Sequence, residues 1–168
     1  MSRTKTSFGL LQATAVVVGL AILVWSLGLP AFRFAEAANV INVSDTLSDS
    51  EPLVPANHTI TFVTPTGVAN GQTITLNFAN GPFVLGAVAF DDVDIRDDGT
   101  DLTVAATCAG AETVGFATSS NQITLTFCAG DGGELPAFGT TTIEIGTHAT
   151  FGVTGNARLT NPAVGSYE

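Results

Sequence analysis

Apolar and polar positions alternate along much of the chain after residue 38. In His58-Thr59-Ile60-Thr61-Phe62-Val63, Ile60 and Phe62 fall on one face. From Gln72 to Phe78, Ile74, Leu76 and Phe78 point one way, and Thr73, Thr75 and Asn77 the other. Gln122-Ile123-Thr124-Leu125-Thr126-Phe127 and Thr142-Ile143-Glu144-Ile145 repeat the period. A period of two is that of a strand with one wet face. Thr suits that face, because its branched Cβ fits extended backbone while its hydroxyl meets water. Val40–Val43, Val84–Phe90, Leu102–Ala106 and Thr113–Thr118 complete the predicted strands.

Turn chemistry separates these runs. Pro65-Thr66-Gly67, Asn70-Gly71, Asn80-Gly81-Pro82, Asp98-Gly99 and Ser119-Ser120-Asn121 are the breaks, and each carries residues that favour turns. No stretch after residue 38 holds a helical period beyond a turn or two. The spacing predicts an all-β domain, an antiparallel immunoglobulin-like β-sandwich of 7–8 strands, with a small barrel as the alternative. No repeat has a fixed period, which excludes a solenoid.

The first 37 residues follow other rules. Arg3 and Lys5 precede an apolar run from Leu10 to Leu29, broken by Gln12, Thr14 and Ser26. A basic start, an apolar middle and a small-residue ending read as a secretory signal peptide. Ala35-Glu36-Ala37 sets cleavage between Ala37 and Ala38. The run also approaches the roughly 20 residues that a spanning helix needs. An uncleaved anchor is therefore the alternative, and it would make the membrane a partner. A third reading is a pilin-like helix packed inside a filament, although the acidic residue usual near the start of such a helix is missing. The organisation is a hydrophobic helix over 1–37, signal peptide or anchor, followed by a sandwich over 38–168.

Charge narrows the function classes. The 168 residues hold 5 basic and 15 acidic side chains, for a net charge of −10. After residue 37 only Arg96 and Arg158 are basic, against 14 acids, so that portion carries −12. A nucleic-acid face needs Lys and Arg against phosphates, so nucleic acid is excluded as a partner. No Lys follows Lys5, which removes Lys–Asn isopeptide cross-links and Schiff-base chemistry. With 45% hydrophobic and 12% charged residues, the chain can build a core.

Cys108 follows Leu102–Ala106, and Cys128 follows Gln122–Phe127. A hairpin turned at Ser119-Ser120-Asn121 places both near its open base. In an exported chain this predicts a disulfide. Two Cys without a nearby His do not make a zinc site.

Asp91-Asp92-Val93-Asp94-Ile95-Arg96-Asp97-Asp98-Gly99-Thr100-Asp101 holds six Asp in eleven positions. Hard cations need several carboxylate oxygens, so Asp92, Asp94, Asp97, Asp98 and Asp101 are candidate calcium ligands, and calcium is the one candidate cofactor. The EF-hand spacing fails, because Arg96 falls at a ligand position. The alternative is a solvated turn, with Arg96 offsetting the repulsion. A glycosidase pair is disfavoured, since carboxylates on one turn face water.

Other chemistry is sparse. His58 and His148 are read as exposed strand-end residues. No Gly-x-Ser-x-Gly elbow and no phosphate-binding loop occur. No nucleophile–base pair is visible, so no catalytic residue is assigned and the chain reads as a non-enzyme. Asn42-Val43-Ser44 and Asn57-His58-Thr59 match the glycosylation pattern by composition. Trp25 lies in the leader and Tyr167 is the sole Tyr, which disfavours a carbohydrate-binding platform. Asn161-Pro162-Ala163-Val164-Gly165-Ser166-Tyr167-Glu168 reads as a loop, a Gly turn and the start of a strand. The sandwich is thus expected to lack its last strand, through a truncated gene or because a partner supplies it.

Several short stretches together resemble secreted immunoglobulin-like domains of small-genome, candidate-phylum bacteria. They are Asn42-Val43-Ser44-Asp45-Thr46-Leu47-Ser48, Asn57–Phe62, Gly71–Leu76, Asp91–Asp94, Thr142–Thr147, Asn161-Pro162 and Gly165-Ser166-Tyr167. The resemblance implies a cell-surface module and no catalytic residues. The expected function is an exported, non-enzymatic, structural or adhesive module. Its partner would be a cell-surface or extracellular protein or glycan. The alternatives are a calcium-dependent binding domain and a filament subunit.

Overall fold

The computed structural model describes residues 15–18, 39–110, 113–130 and 132–165. The chain divides into two compact units, Met1–Ala37 and Ala38–Glu168. In the first, residues 15–18 are described, and they are helical. The rest of the predicted leader helix, with Ala35, Ala37 and Ala38, lies outside the described residues. Among the described residues, no helix is long and apolar enough to cross a membrane.

The second unit is all-β. Its strands are β1 (Ile41–Leu47), β2 (Pro55–Ala56), β3 (His58–Val63), β4 (Thr73–Asn77), β5 (Val93–Asp97), β6 (Thr100–Leu102), β7 (Val104–Ala105), β8 (Val114–Ser119), β9 (Gln122–Phe127), β10 (Thr140–Ile145) and β11 (Leu159–Thr160). One sheet runs β1-β3-β10-β5-β6, a second runs β4-β9-β8-β7, and β11 pairs with β2. All pairings are antiparallel except β7 with β8, which is parallel at Val104↔Val114.

The alternating runs became the central strands because each buries one side. Ile60 and Phe62 of β3, Ile143 and Ile145 of β10, and Val93 and Ile95 of β5 line the first sheet's inner face. Ile123, Leu125 and Phe127 of β9 and Val114 of β8 line the second. All join one apolar cluster, so the two sheets enclose a single core, as in a β-sandwich. Each such side chain contributes about 1.5–3 kcal/mol on burial.

Three expectations need correction. Val84–Phe90 is not a strand: Val84 alone bridges, to Thr160. Gly86 then takes φ +60°, the Val88 N–H turns back to the Leu85 carbonyl, and Phe90–Asp92 forms a 3-10 turn. Leu102–Ala106 is split between β6 and β7 at Thr103. The first strand extends past Val43 to Leu47, with an irregular register between Ile41 and Ser44.

The sheets close on one side and stay open on the other. β7 packs beside β5 and against the 3-10 turn. That contact joins the β5–β6 side of one sheet to the β7–β8 side of the other. It leaves β1 and β4 as the terminal strands on the opposite side, and no strand pairs beyond either among the described residues.

Candidate functional site

The open side holds the chemistry of interest. β1 and β4 border it, and His58, Phe78 and Phe83 fill one end of the gap. The three rings meet edge to face: His58 and Phe83 at 5.1 Å, Phe78 and Phe83 at 6.0 Å, and His58 and Phe78 at 6.2 Å. His58 starts β3 on its inward face and is 0% exposed, which corrects the expectation of an exposed strand end. Its Nδ1 lies 2.8 Å from the Asp45 Oδ2 on β1. The carboxylate accepts, so Nδ1 carries a proton. The His58 Nε2 is buried and has no partner among the described residues.

Beyond Phe83 lies a cavity of about 320 Å³, lined by Leu47, Ser50, Pro52 and Phe83 together with residues 161–165. Asn161 anchors its floor: its Nδ2 donates to the carbonyls of Asp49 and Glu51, each at 2.9 Å. The lining is largely apolar, and Val164 and Leu53 are exposed close by.

The two edges differ in character. β1 carries an irregular register and an inward-pointing Asp45, both of which discourage pairing with a foreign strand. β4 has the sequence Thr73-Ile74-Thr75-Leu76-Asn77, with no charge, no Pro and a regular register against β9. Its Ile74 and Leu76, on the side packed against the core, remain half-buried.

The structure spreads the acidic run over three settings. Asp92 is buried at 3% exposure. Its Oδ1 accepts the N–H groups of Asn156 at 2.6 Å and Ala157 at 2.7 Å, and its Oδ2 that of Ala89 at 2.9 Å. Asp94 is also buried, on the outer face of β5 beneath the 146–157 loop, and accepts the Phe151 N–H at 2.7 Å. Burial raises its carboxyl above the ordinary carboxylate value, and Glu144 adds repulsion, against the Phe151 and Thr150 N–H groups. These two Asp therefore do not face water as a solvated turn would require. They are internal acceptors for the backbone N–H groups of Ala89, Phe151, Asn156 and Ala157.

Asp97 and Asp98 sit at the β5–β6 turn. The Asp98 Oδ1 accepts the Thr140 N–H at 2.8 Å, and the Asp97 Oδ1 is buried without a partner among the described residues. Burial, then Asp98, raises the Asp97 carboxyl. Asp101 pairs with Arg96 at 2.7 Å, and Arg96 also donates to Glu144 at 2.9 Å. Those two hydrogen bonds, Glu144 first, hold the guanidinium proton more tightly than usual. Among the described residues, no three His, Cys, Asp or Glu side chains gather where one metal ion could bind.

Cys108 and Cys128 form the expected disulfide. It crosses β8 at Gly115, where a Cβ would lie 2.9 Å from the Cys108 Sγ. The sequon at Asn57 is engaged internally, since its Oδ1 accepts the Thr147 N–H at 3.0 Å. Asn42 is exposed, with φ +56° at the β1 irregularity.

Two pairings escaped the sequence. His58 meets Asp45 across 13 residues, and the His148 Nε2 lies 3.0 Å from the Thr59 hydroxyl across 89. His148 is half-buried rather than exposed, because the 146–157 loop folds onto the outer face of the first sheet. An imidazole beside a hydroxyl is the start of a nucleophile–base arrangement, but the other nitrogen of His148 has no orienting partner among the described residues. The one available signal was the inward register of His58 with Ile60 and Phe62.

Comparison with known proteins found no matching family model, no matching curated protein and no matching solved structure.

Proposed function

We propose that the chain is an exported, non-enzymatic surface module of immunoglobulin-like type that acts by contact, as a structural or adhesive unit. The observation that carries this reading is the β4 edge. It is regular, uncharged and terminal in its sheet, with half-buried apolar side chains behind it. An extended segment of a protein partner can add there as a further strand, its backbone supplying affinity and its alternate side chains covering Ile74 and Leu76. The disulfide supports an oxidising, extracytoplasmic setting, and the basic-apolar-small leader supports export.

The test is adhesion by cells displaying the full chain, compared with cells displaying Thr75→Lys. Thr75 is exposed, so the substitution leaves the core intact while placing a charge on the edge. Reduced adhesion at equal surface level and equal disulfide content is expected. Equal adhesion overturns the proposal.

A further inference from the structure

The sequence contains two Asn-Gly steps, Asn70-Gly71 and Asn80-Gly81, one on each side of β4. Such a step can modify itself. Glycine has no Cβ, so its backbone nitrogen can approach the carbonyl carbon of the preceding Asn side chain. Two things must be free for that attack: the glycine N–H and the Asn amide.

The structure separates the two steps. At the first, the Gly71 N–H donates to the Phe127 carbonyl at 2.7 Å, extending the β4–β9 pairing by a rung. The Asn70 Nδ2 donates to the Glu134 Oε1 at 2.5 Å. Nucleophile and leaving group are both tied. At the second, Asn80 is exposed and its side chain has no hydrogen bond among the described residues. The Gly81 N–H has no backbone acceptor among them either. Pro82 follows and has no N–H to compete for local acceptors. The turn is held from its other end, where the Asn77 Oδ1 accepts the Ala79 N–H at 3.0 Å.

We propose that Asn80 is a site of spontaneous deamidation in the folded protein and that Asn70 is protected. In the step, the Gly81 nitrogen bonds to the Asn80 Cγ. The Cγ–Nδ2 bond breaks, and the Gly81 proton leaves with the amide nitrogen as ammonia. Water then opens the succinimide at one of its two carbonyls, giving aspartate or isoaspartate. Net, one water is consumed and one ammonia released. The product carries a new carboxylate just past the end of β4. The isoaspartyl form also adds a backbone methylene before Pro82 and Phe83, next to the ring that contacts His58 at 5.1 Å. This inference is independent of the adhesive reading, because it rests on the local geometry of the two turns alone.

The experiment incubates the folded, oxidised full chain at mildly alkaline pH and maps peptides by mass spectrometry over time. A parallel sample is kept in denaturant with the disulfide reduced. In the folded sample, Asn80 should convert about tenfold or more faster than Asn70, since two hydrogen bonds must open before Asn70 can react. In denaturant the two rates should converge. Gly81→Ala should slow conversion at residue 80 and leave residue 70 unchanged; its Cβ would meet only the ring edge of Phe83, at 3.0 Å. Equal rates in the folded chain, or faster loss at Asn70, overturn the proposal. So does a ratio that persists after unfolding, because the difference would then belong to sequence and not to structure.

Discussion

Asp92 and Ala157 lie 65 residues apart in the chain, yet the Asp92 Oδ1 accepts the Ala157 N–H at 2.7 Å. With the Asn156 and Ala89 N–H groups, this buried carboxylate satisfies three backbone donors on two loops. Hydrogen bonds to a buried charge are among the stronger ones. Removing the acceptor leaves several donors without water or partner. Asp92→Ala is expected to cost about 3 kcal/mol or more, read as a lower denaturant midpoint. Asp92→Asn should fall between, since one amide oxygen remains but the amide nitrogen faces N–H groups. A change under about 0.5 kcal/mol would show that the loop does not depend on Asp92.

A second prediction concerns Asp45 and His58. Asp45→Ala leaves the His58 Nδ1–H buried and unpaired, and should cost about 2 kcal/mol. Adding His58→Leu removes the orphaned donor with an apolar side chain of similar size. The double variant should therefore regain much of the loss. A double-mutant cycle by equilibrium unfolding measures the coupling. Additive losses would mean that the 2.8 Å contact contributes little to β1 docking.

The central strands were legible because local and global demands agree there. Ile74-Thr75-Leu76 and Ile123-Thr124-Leu125 alternate, and the core takes the apolar member each time. The disulfide was legible because the hairpin at Ser119-Ser120-Asn121 brings its base together. Asp92 and Asp94 were not, because composition cannot say which carboxylates turn inward. Their partners are backbone N–H groups, which every residue but Pro has, so no sequence signal marks them. Val84–Phe90 misled for a related reason. Its apolar residues are core plugs from a looped segment: Leu85 and Val88 are buried although their backbone is not paired as a strand.

Reducing the disulfide tests a third expectation. Cys108 and Cys128 are separated by 20 residues, and a loop of that size restricts the unfolded chain by about 3 kcal/mol. Cys108→Ser with Cys128→Ser should lower the melting temperature by roughly 10 °C, at about 3–4 °C per kcal/mol for a domain between the small and the large size classes. Reductant should produce the same drop in the native chain and none in the variant. If the native chain melts identically with and without reductant, the cross-link is not a stabilising element.

The pH dependence follows from Asp94 and Asp97, whose carboxyls both lie above the ordinary value of 3.8, chiefly through burial. A raised value means that the folded chain holds a proton more tightly than the unfolded one. Between the unfolded and folded values the native state binds more protons, so stability falls as pH rises through that window. The contribution is present in full below the ordinary carboxylate value and is lost above the folded one. Asp97 isolates this effect, since its buried Oδ1 has no partner among the described residues to lose. Asp97→Asn removes the ionisation while keeping the shape. The variant should exceed the native chain in stability at about pH 7, and the gap should close by about pH 3, where the native carboxyl is protonated. Urea midpoints across that range read the difference directly. A gap that widens on acidification would reverse the sign and show that the ionised Asp97 is stabilised by its surroundings.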